Sequence, residues 1–180
     1  FQMMRPAIVG FLHNFVWGSL TAFVPLHAIH SGIKNPGHFF LAISLMVLIS
    51  RIFGSKIVDV YSKRKIIVVS VILSMAAVIL VSFSNTVGVL FIAGLLWGVA
   101  GAFIFPASIA FAIEYRGSSS GPSIGTFRAL MDLGLTIGPM AMGLIVPVTG
   151  YRVMFLSLLL ICMMNLSYFH LCLRKPKHGM

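Results

Sequence analysis

Long apolar stretches separated by short polar segments make up almost the whole sequence. A helix that crosses the ~30 Å hydrocarbon core of a bilayer needs about 20 mainly apolar residues. Six stretches of this kind follow one another here, so the pattern predicts an all-α, polytopic membrane protein whose residues 1–180 form a single bundle of six transmembrane helices. The predicted spans are 6–29, 39–58, 66–83, 87–112, 124–146 and 153–173.

The connections between the spans carry turn-forming residues. The segment 31–38 combines Gly, Asn and Pro, and residues 84–86 form a short polar turn. The polar segment 114–123 precedes the fifth span, which we expect to end near Pro147. The length of the fourth span predicts a tilt, or a bend near Pro106.

Composition supports a membrane protein, because 59% of the residues are hydrophobic and only 9% are charged. About a quarter of the residues of a soluble domain are charged. The net charge of +10 does not indicate nucleic-acid binding, since the basic residues lie between apolar spans, where they set membrane topology. Counting these residues predicts that both termini are cytoplasmic. A cell (inner or plasma) membrane is the default location for such a protein. The residues on the predicted cytoplasmic side are Arg5, Lys56, Lys63, Arg64, Lys65, Arg116, Arg128, Arg174, Lys175 and Lys177, against Lys34 and Arg152 outside.

The first and fourth spans resemble each other. Residues 17–25 read WGSLTAFVP and residues 97–106 read WGVAGAFIFP, with the WG and AF pairs at the same spacing. Because these spans are three helices apart, they cross the membrane in opposite directions. This is the pattern of a 3+3 inverted repeat, which many secondary transporters have. Chance similarity of two apolar helices is the alternative.

The fifth span carries two ionisable residues, Arg128 and Asp132. Charged groups within a membrane span are costly and are functional candidates by default. Asp132 lies ~12 Å along its helix, and Arg51 of the second span lies at a similar depth. Two interpretations stay open: Asp132, Arg51 and Arg128 act in proton coupling or charge recognition, or Asp132 forms a structural ion pair while Arg128 reaches the cytoplasmic surface.

The segment RIFGSKIVDVYSKRK, residues 51–65, resembles the loop signature of the major facilitator superfamily. That signature has a glycine, an aspartate four residues later, a short turn and a basic cluster. Serines stand at two positions where the family usually has glycine, 55 and 62. The resemblance implies a cytoplasmic latch between helices, and a charged loop that only sets topology is the alternative. The residues of this loop motif are Gly54, Ser55, Asp59, Lys63, Arg64 and Lys65.

The glycines of the fifth span resemble the fifth-helix pattern of the drug–proton antiporters of that family, with Met142 in place of a usual glycine. Glycines spaced by about four residues also allow another helix to pack closely. We therefore expect helix packing first, and antiport only as a further implication. The positions are Gly125, Gly134, Gly138, Pro139 and Gly143.

The resemblance also implies a central cavity bordered by the first, second, fourth and fifth spans. Polar and aromatic residues at helical spacing in the first span, and aromatic and hydroxyl residues in the fourth, are candidates for lining it. Packing in the core is the alternative for these side chains. The candidates are His13, Asn14, Trp17, Thr21, Trp97, Phe105 and Ser108.

Six spans are half of the family's usual twelve, and the short basic tail favours the C-terminal half. The expected function is secondary active transport of a small molecule by alternating access, as proton-coupled export. The expected partners are the lipid bilayer, the substrate, protons and the other half or a second copy, with no nucleic acid and no cofactor. A non-transporting membrane subunit or receptor-like body stays open as an alternative.

An intramembrane enzyme is disfavoured, because the acidic residues are scattered and the embedded histidines lack catalytic partners. A metal site is disfavoured for a similar reason. His27 and His30 lie one turn apart, but no third ligand is predictably near them.

Overall fold

The computed structural model describes residues 4–53, 60–116 and 121–172, and every regular element within them is a helix. Four helical stretches are long and apolar enough to cross a membrane. The second helix of the chain is not one of these four, because its apolar part, Gly37–Ile52, is shorter. The helices are α1 (Met4–His30), α2 (Gly37–Phe53), α3 (Lys63–Ser82), α4 (Val87–Arg116) and a final helical stretch, Gly121–Cys172.

The final helical stretch contains one non-helical residue, Gly150, with φ 77° and ψ 169°. Positive φ is readily adopted only by glycine, so Gly150 is where two helices join. We call residues 121–149 α5 and residues 151–172 α6. α5 therefore ends two residues beyond Pro147, close to the predicted end. Pro147 itself lies within the helix, because membrane helices tolerate the hydrogen bond that a proline removes.

The helices extend beyond the predicted apolar spans where the flanking residues favour helix. α3 begins at Lys63, so the basic run lies in its first turn and not in the preceding loop. α4 continues to Arg116, beyond the predicted end at 112. Lys, Arg and Glu are good helix formers, and hydropathy alone does not register this propensity.

The bundle is organised around α1 and α4. α1 packs along the final helical stretch, α4 packs against both α2 and α3, and α3 also contacts the final stretch. Trp97 lies fully buried in the main core cluster. The other fully buried large side chains include Leu20, Phe39, Leu90, Ile104, Phe155 and Leu158.

Glycines allow α1 and α5 to approach closely. A side chain at Gly134 would overlap the backbone carbonyl of Phe11, and one at Gly138 would overlap that of Phe15. Gly143 is less constrained, since a Cβ there would lie 3.6 Å from Cζ of Phe23.

Gly125 differs from the packing prediction. A Cβ at this position would meet nothing within 4 Å among the described residues. Gly125 precedes the segment of α5 that packs on α1, so sequence spacing alone grouped it with glycines that have a different environment.

Candidate functional site

Aromatic rings from α1 and α4 meet in the middle of the bundle. The rings of Trp17 and Trp97 stack with centroids 5.0 Å apart and an interplanar angle of 17°. The His13 ring lies 6.4 Å from Trp97, 6.1 Å from Trp17 and 5.9 Å from Phe105. These four residues form one cluster, to which each helix contributes two side chains.

Two members of this cluster are buried with polar atoms unpaired. His13 is 3% exposed and Trp97 is fully buried. Nε2 of His13 and Nε1 of Trp97 have no hydrogen-bond partner in the described part of the chain. Leaving a buried polar atom without a partner costs about 1–3 kcal/mol.

The other two members, Trp17 and Phe105, face a cavity of about 380 Å³ between α1, α2 and α4. This volume falls within the range of small-molecule sites, roughly 300–1,000 Å³. Gly101 is part of the same wall, and a side chain there would overlap the Trp17 ring. The cavity is lined by Trp17, Val47, Ser50, Arg51, Gly101, Ala102, Phe105 and Pro106.

Arg51 gives this cavity a positive charge. It sits in the last turn of α2, and Ser50 beside it supplies a hydroxyl group. The rest of the lining is apolar or aromatic, and none of the described lining residues is acidic. A guanidinium beside aromatic faces can hold an anionic group by hydrogen bonds while the rings contact an apolar part of the same ligand.

The remaining predicted cavity residues are turned elsewhere. Asn14 is buried, and its Nδ2 donates to the carbonyl oxygen of Met131 on α5 at 2.8 Å. Oγ1 of Thr21 donates to the carbonyl oxygen of Trp17 in its own helix at 2.7 Å. Ser108 is buried and does not line the cavity.

Asp132 and Arg51 are not brought together. α2 packs against α4, whereas α5 packs against α1, so the helices that carry the two residues are not a packed pair. Asp132 is exposed and, within the described ranges, makes no salt bridge with Arg51 or Arg128. The roles of these three residues in proton coupling or charge recognition stay predictions.

The exposed surface of α5 includes two stripes about 100° apart. Arg128, Asp132 and Thr136 follow one another at intervals of four residues on the first stripe, and all three are exposed. The second stripe is apolar and suits contact with lipid. Its members are Leu133, Ile137, Met140 and Leu144.

The loop motif is described only in part, since Gly54, Ser55 and Asp59 lie outside the described residues. Lys63, Arg64 and Lys65 form the first turn of α3, and none of them lines the Arg51 cavity.

Several glycines of this region were not recognised from sequence. Gly94 and Gly98 approach α2, and Gly101 makes room for the Trp17 ring. The small-residue spacing of four between Gly94 and Gly98 is a signal that would have predicted close helix packing. Met131, which accepts the Asn14 hydrogen bond through its backbone, had no signal of its own.

A comparison with protein families finds the Major Facilitator Superfamily over residues 6–179. The chain belongs to this superfamily. It is therefore an integral membrane protein of a transporter family and not an enzyme, and the resemblance inferred from the loop signature is confirmed.

Two curated relatives are exporters or resistance proteins. The Staphylopine export protein of Staphylococcus aureus (strain Mu50 / ATCC 700699) is 27% identical over 184 residues, covering 97% of this chain and 45% of that protein. The Multidrug resistance protein MdtG of Proteus mirabilis (strain HI4320) is 29% identical over 170 residues, covering 88% of this chain and 42% of that protein. The chain thus spans less than half the length of either relative.

The same fold occurs in the crystal structure of the human organic anion transporter MFSD10 (TETRAN). The TM-score is 0.81 at 20% sequence identity, over 92% of this chain and 40% of that one. At this identity the likeness concerns the fold alone.

Proposed function

We propose that the chain is half of a secondary active transporter of the major facilitator superfamily that exports a small molecule by alternating access. The observation that carries this proposal is the cavity between α1, α2 and α4, which combines Arg51 with the aromatic faces of Trp17 and Phe105. Export is supported by the name of one curated relative, the Staphylopine export protein. In this proposal the cavity is one wall of the substrate path, and the second wall comes from the other half or a second copy.

We further propose that the chain crosses the membrane six times as a 3+3 inverted repeat with both termini in the cytoplasm. Such a repeat pairs α1 with α4 and α2 with α5. A Cβ at Gly18 of α1 would overlap the Leu135 carbonyl of α5, and one at Gly98 of α4 would lie 3.0 Å from Cα of Ile43 in α2. These contacts correspond to each other under the repeat.

The tryptophans agree with the same symmetry. Trp17 and Trp97 each precede one of these glycines, Gly18 and Gly98, and the two rings stack on one another. Residues related by a two-fold axis meet their own counterparts when they lie next to it. The stacking of two residues that the sequence similarity makes counterparts therefore supports the repeat.

The polar stripe of α5 supports the proposal that this helix faces a second half of the transporter. Arg128, Asp132 and Thr136 are exposed in a helix otherwise suited to a membrane, and such groups normally face protein or water-filled space and not lipid. In the complete transporter we assign this stripe to the side of α5 that faces the second half. Asp132 is then the proposed proton-coupling residue.

The experiment that tests the proposal uses the complete protein that carries this chain, reconstituted in liposomes. Efflux of carboxyfluorescein, an aromatic anion, is compared with efflux of ethidium, an aromatic cation. Arg51→Gln removes the positive charge from the cavity, so we expect carboxyfluorescein transport to fall by about tenfold, while ethidium transport is unchanged or rises.

Ser50→Ala is the matched control, since it alters the same wall without changing its charge. A protein that moves neither dye would favour the non-transporting subunit. Equal loss for both dyes on Arg51→Gln would contradict the assigned role of Arg51.

A further inference from the structure

A second positively charged region lies at the start of α3, on the outer surface of the bundle. A groove of about 440 Å³ runs between α3 and α6. Arg64 and Lys65 line one part of it, and Val68 and Val69, one turn further along α3, line the next. Phe169 and His170 of α6 form the opposite wall. The groove is therefore cationic at the beginning of α3 and mainly apolar where α3 continues.

Arg64 is held in place by aromatic rings. Its guanidinium carbon lies 5.9 Å from the ring centroids of both Phe111 and Phe169. The side chain is half-buried, and its buried Nε has no hydrogen-bond partner within the described ranges. Cation–π contacts of this kind orient a guanidinium without neutralising it, so its charge remains available to an anion.

The acidic residue that the structure describes in this region does not line the groove. Glu114 of α4 borders a separate recess of about 180 Å³, together with Ser62, Lys63, Arg64 and Phe111. Glu114 forms no salt bridge with Arg64 in the described part of the chain.

A second apolar furrow lies on the other side of α3. It has a volume of about 240 Å³ and is bordered by Tyr61, Lys65, Val69 and Phe103, among others. Lys65 and Val69 border both furrows, and Val69 is 54% exposed on the ridge between them. One cationic group thus stands at the head of two apolar furrows that run along the same helix.

We propose that this region binds an anionic diacyl phospholipid. The lipid phosphate lies against Arg64 and Lys65, and the two acyl chains follow the two furrows on either side of Val69. The cationic residues match the phosphate of such a lipid, and the paired apolar furrows match its two acyl chains. Free phosphate has no apolar part that could contact the furrows. Basic pockets between membrane helices at the cytoplasmic surface bind anionic lipid head groups in this manner.

The test measures binding of fluorescently labelled phosphatidylglycerol and phosphatidylcholine to the complete protein purified in detergent. We expect at least tenfold tighter binding of phosphatidylglycerol. Each of Arg64→Gln and Lys65→Gln weakens it about fivefold, and Lys65→Arg preserves it. Lys63→Gln is the matched control, because Lys63 is in the same basic run but lines neither furrow; we expect less than twofold change.

Two further arms separate lipid from simple anion binding. Val69→Glu keeps both cations but places a carboxylate on the ridge, and it weakens phosphatidylglycerol binding about tenfold or more. Inorganic phosphate at 10 mM leaves the lipid bound. Equal affinity for the two lipids, displacement by phosphate, or equal losses for Lys63→Gln and Lys65→Gln would overturn the proposal. Size-exclusion profiles establish that each variant is folded, and none of these measurements depends on transport.

Discussion

The helix pairs α1–α5 and α2–α4 are both closed by glycines, yet only the first is joined by a buried hydrogen bond among the described residues. Gly18, Gly134 and Gly138 meet backbone carbonyls across α1–α5. Gly94 and Gly98 meet the backbone and side chains of α2 across α2–α4. Small residues let both pairs approach at the distance that van der Waals packing in a membrane requires.

The two pairs differ in the environment of the charged residue that each one carries. Across α1–α5, the Asn14 hydrogen bond fixes the inner side of the contact, and Asp132 is exposed on another face of α5. In α2–α4, Arg51 lines the cavity beside α1. The same packing principle therefore yields one pair that carries an exposed carboxylate and another that carries a cation in a binding-sized cavity.

The largest expected effect tests whether close approach determines the α1–α5 contact. Gly134→Leu places a side chain on the Phe11 carbonyl, which belongs to backbone and cannot move aside alone. We expect a loss of about 3 kcal/mol of stability, measured by thermal unfolding in detergent.

Gly125→Leu is the control for this substitution, because it adds the same side chain to the same helix where no described residue lies within 4 Å. Its stability should change by less than about 0.5 kcal/mol. Similar losses for the two variants would mean that helix flexibility, and not close packing, explains the result.

The positions of the helices could be predicted from the sequence, whereas the contacts between them could not. The lengths of the apolar stretches predicted where the helices lie, because every span must be apolar over the thickness of the hydrocarbon core. The basic run was placed in a loop, since hydropathy does not register the helix propensity of Lys63 and its neighbours.

The pairing of charges required tertiary information. Asp132 and Arg51 lie at similar predicted depths, but depth does not determine which helices are neighbours. Trp17 was recognised by its helical spacing, whereas Asn14 lies on the same predicted face and contacts α5 instead. A helical face can serve two neighbours at once, and a periodic pattern does not distinguish them.

The next effect concerns the exposed carboxylate of α5. Asp132→Asn keeps the size of the side chain and removes its ability to ionise. If Asp132 couples transport to protons, proton-driven efflux from liposomes should fall about tenfold, whereas exchange without a proton gradient should be retained. Thr136→Val, four residues further along the same stripe, is the control. Unchanged coupling in Asp132→Asn would leave Asp132 a structural role only.

The smallest expected effect tests the hydrogen bond that distinguishes the two helix pairs. Asn14→Leu removes the donor to the Met131 carbonyl, but that carbonyl lies within α5 and can still accept its intrahelical bond. The loss should therefore be about 1 kcal/mol, the usual contribution of an interhelical hydrogen bond in a membrane protein. Thr21→Val, which removes a hydroxyl bonded only within α1 in the described structure, should change the unfolding temperature less. A loss for Asn14→Leu as large as that for Gly134→Leu would show that the polar bond, and not the glycines, holds α1 to α5. The pairs α1–α5 and α2–α4 would then differ in the interaction that holds their helices together as well as in the charge that they carry.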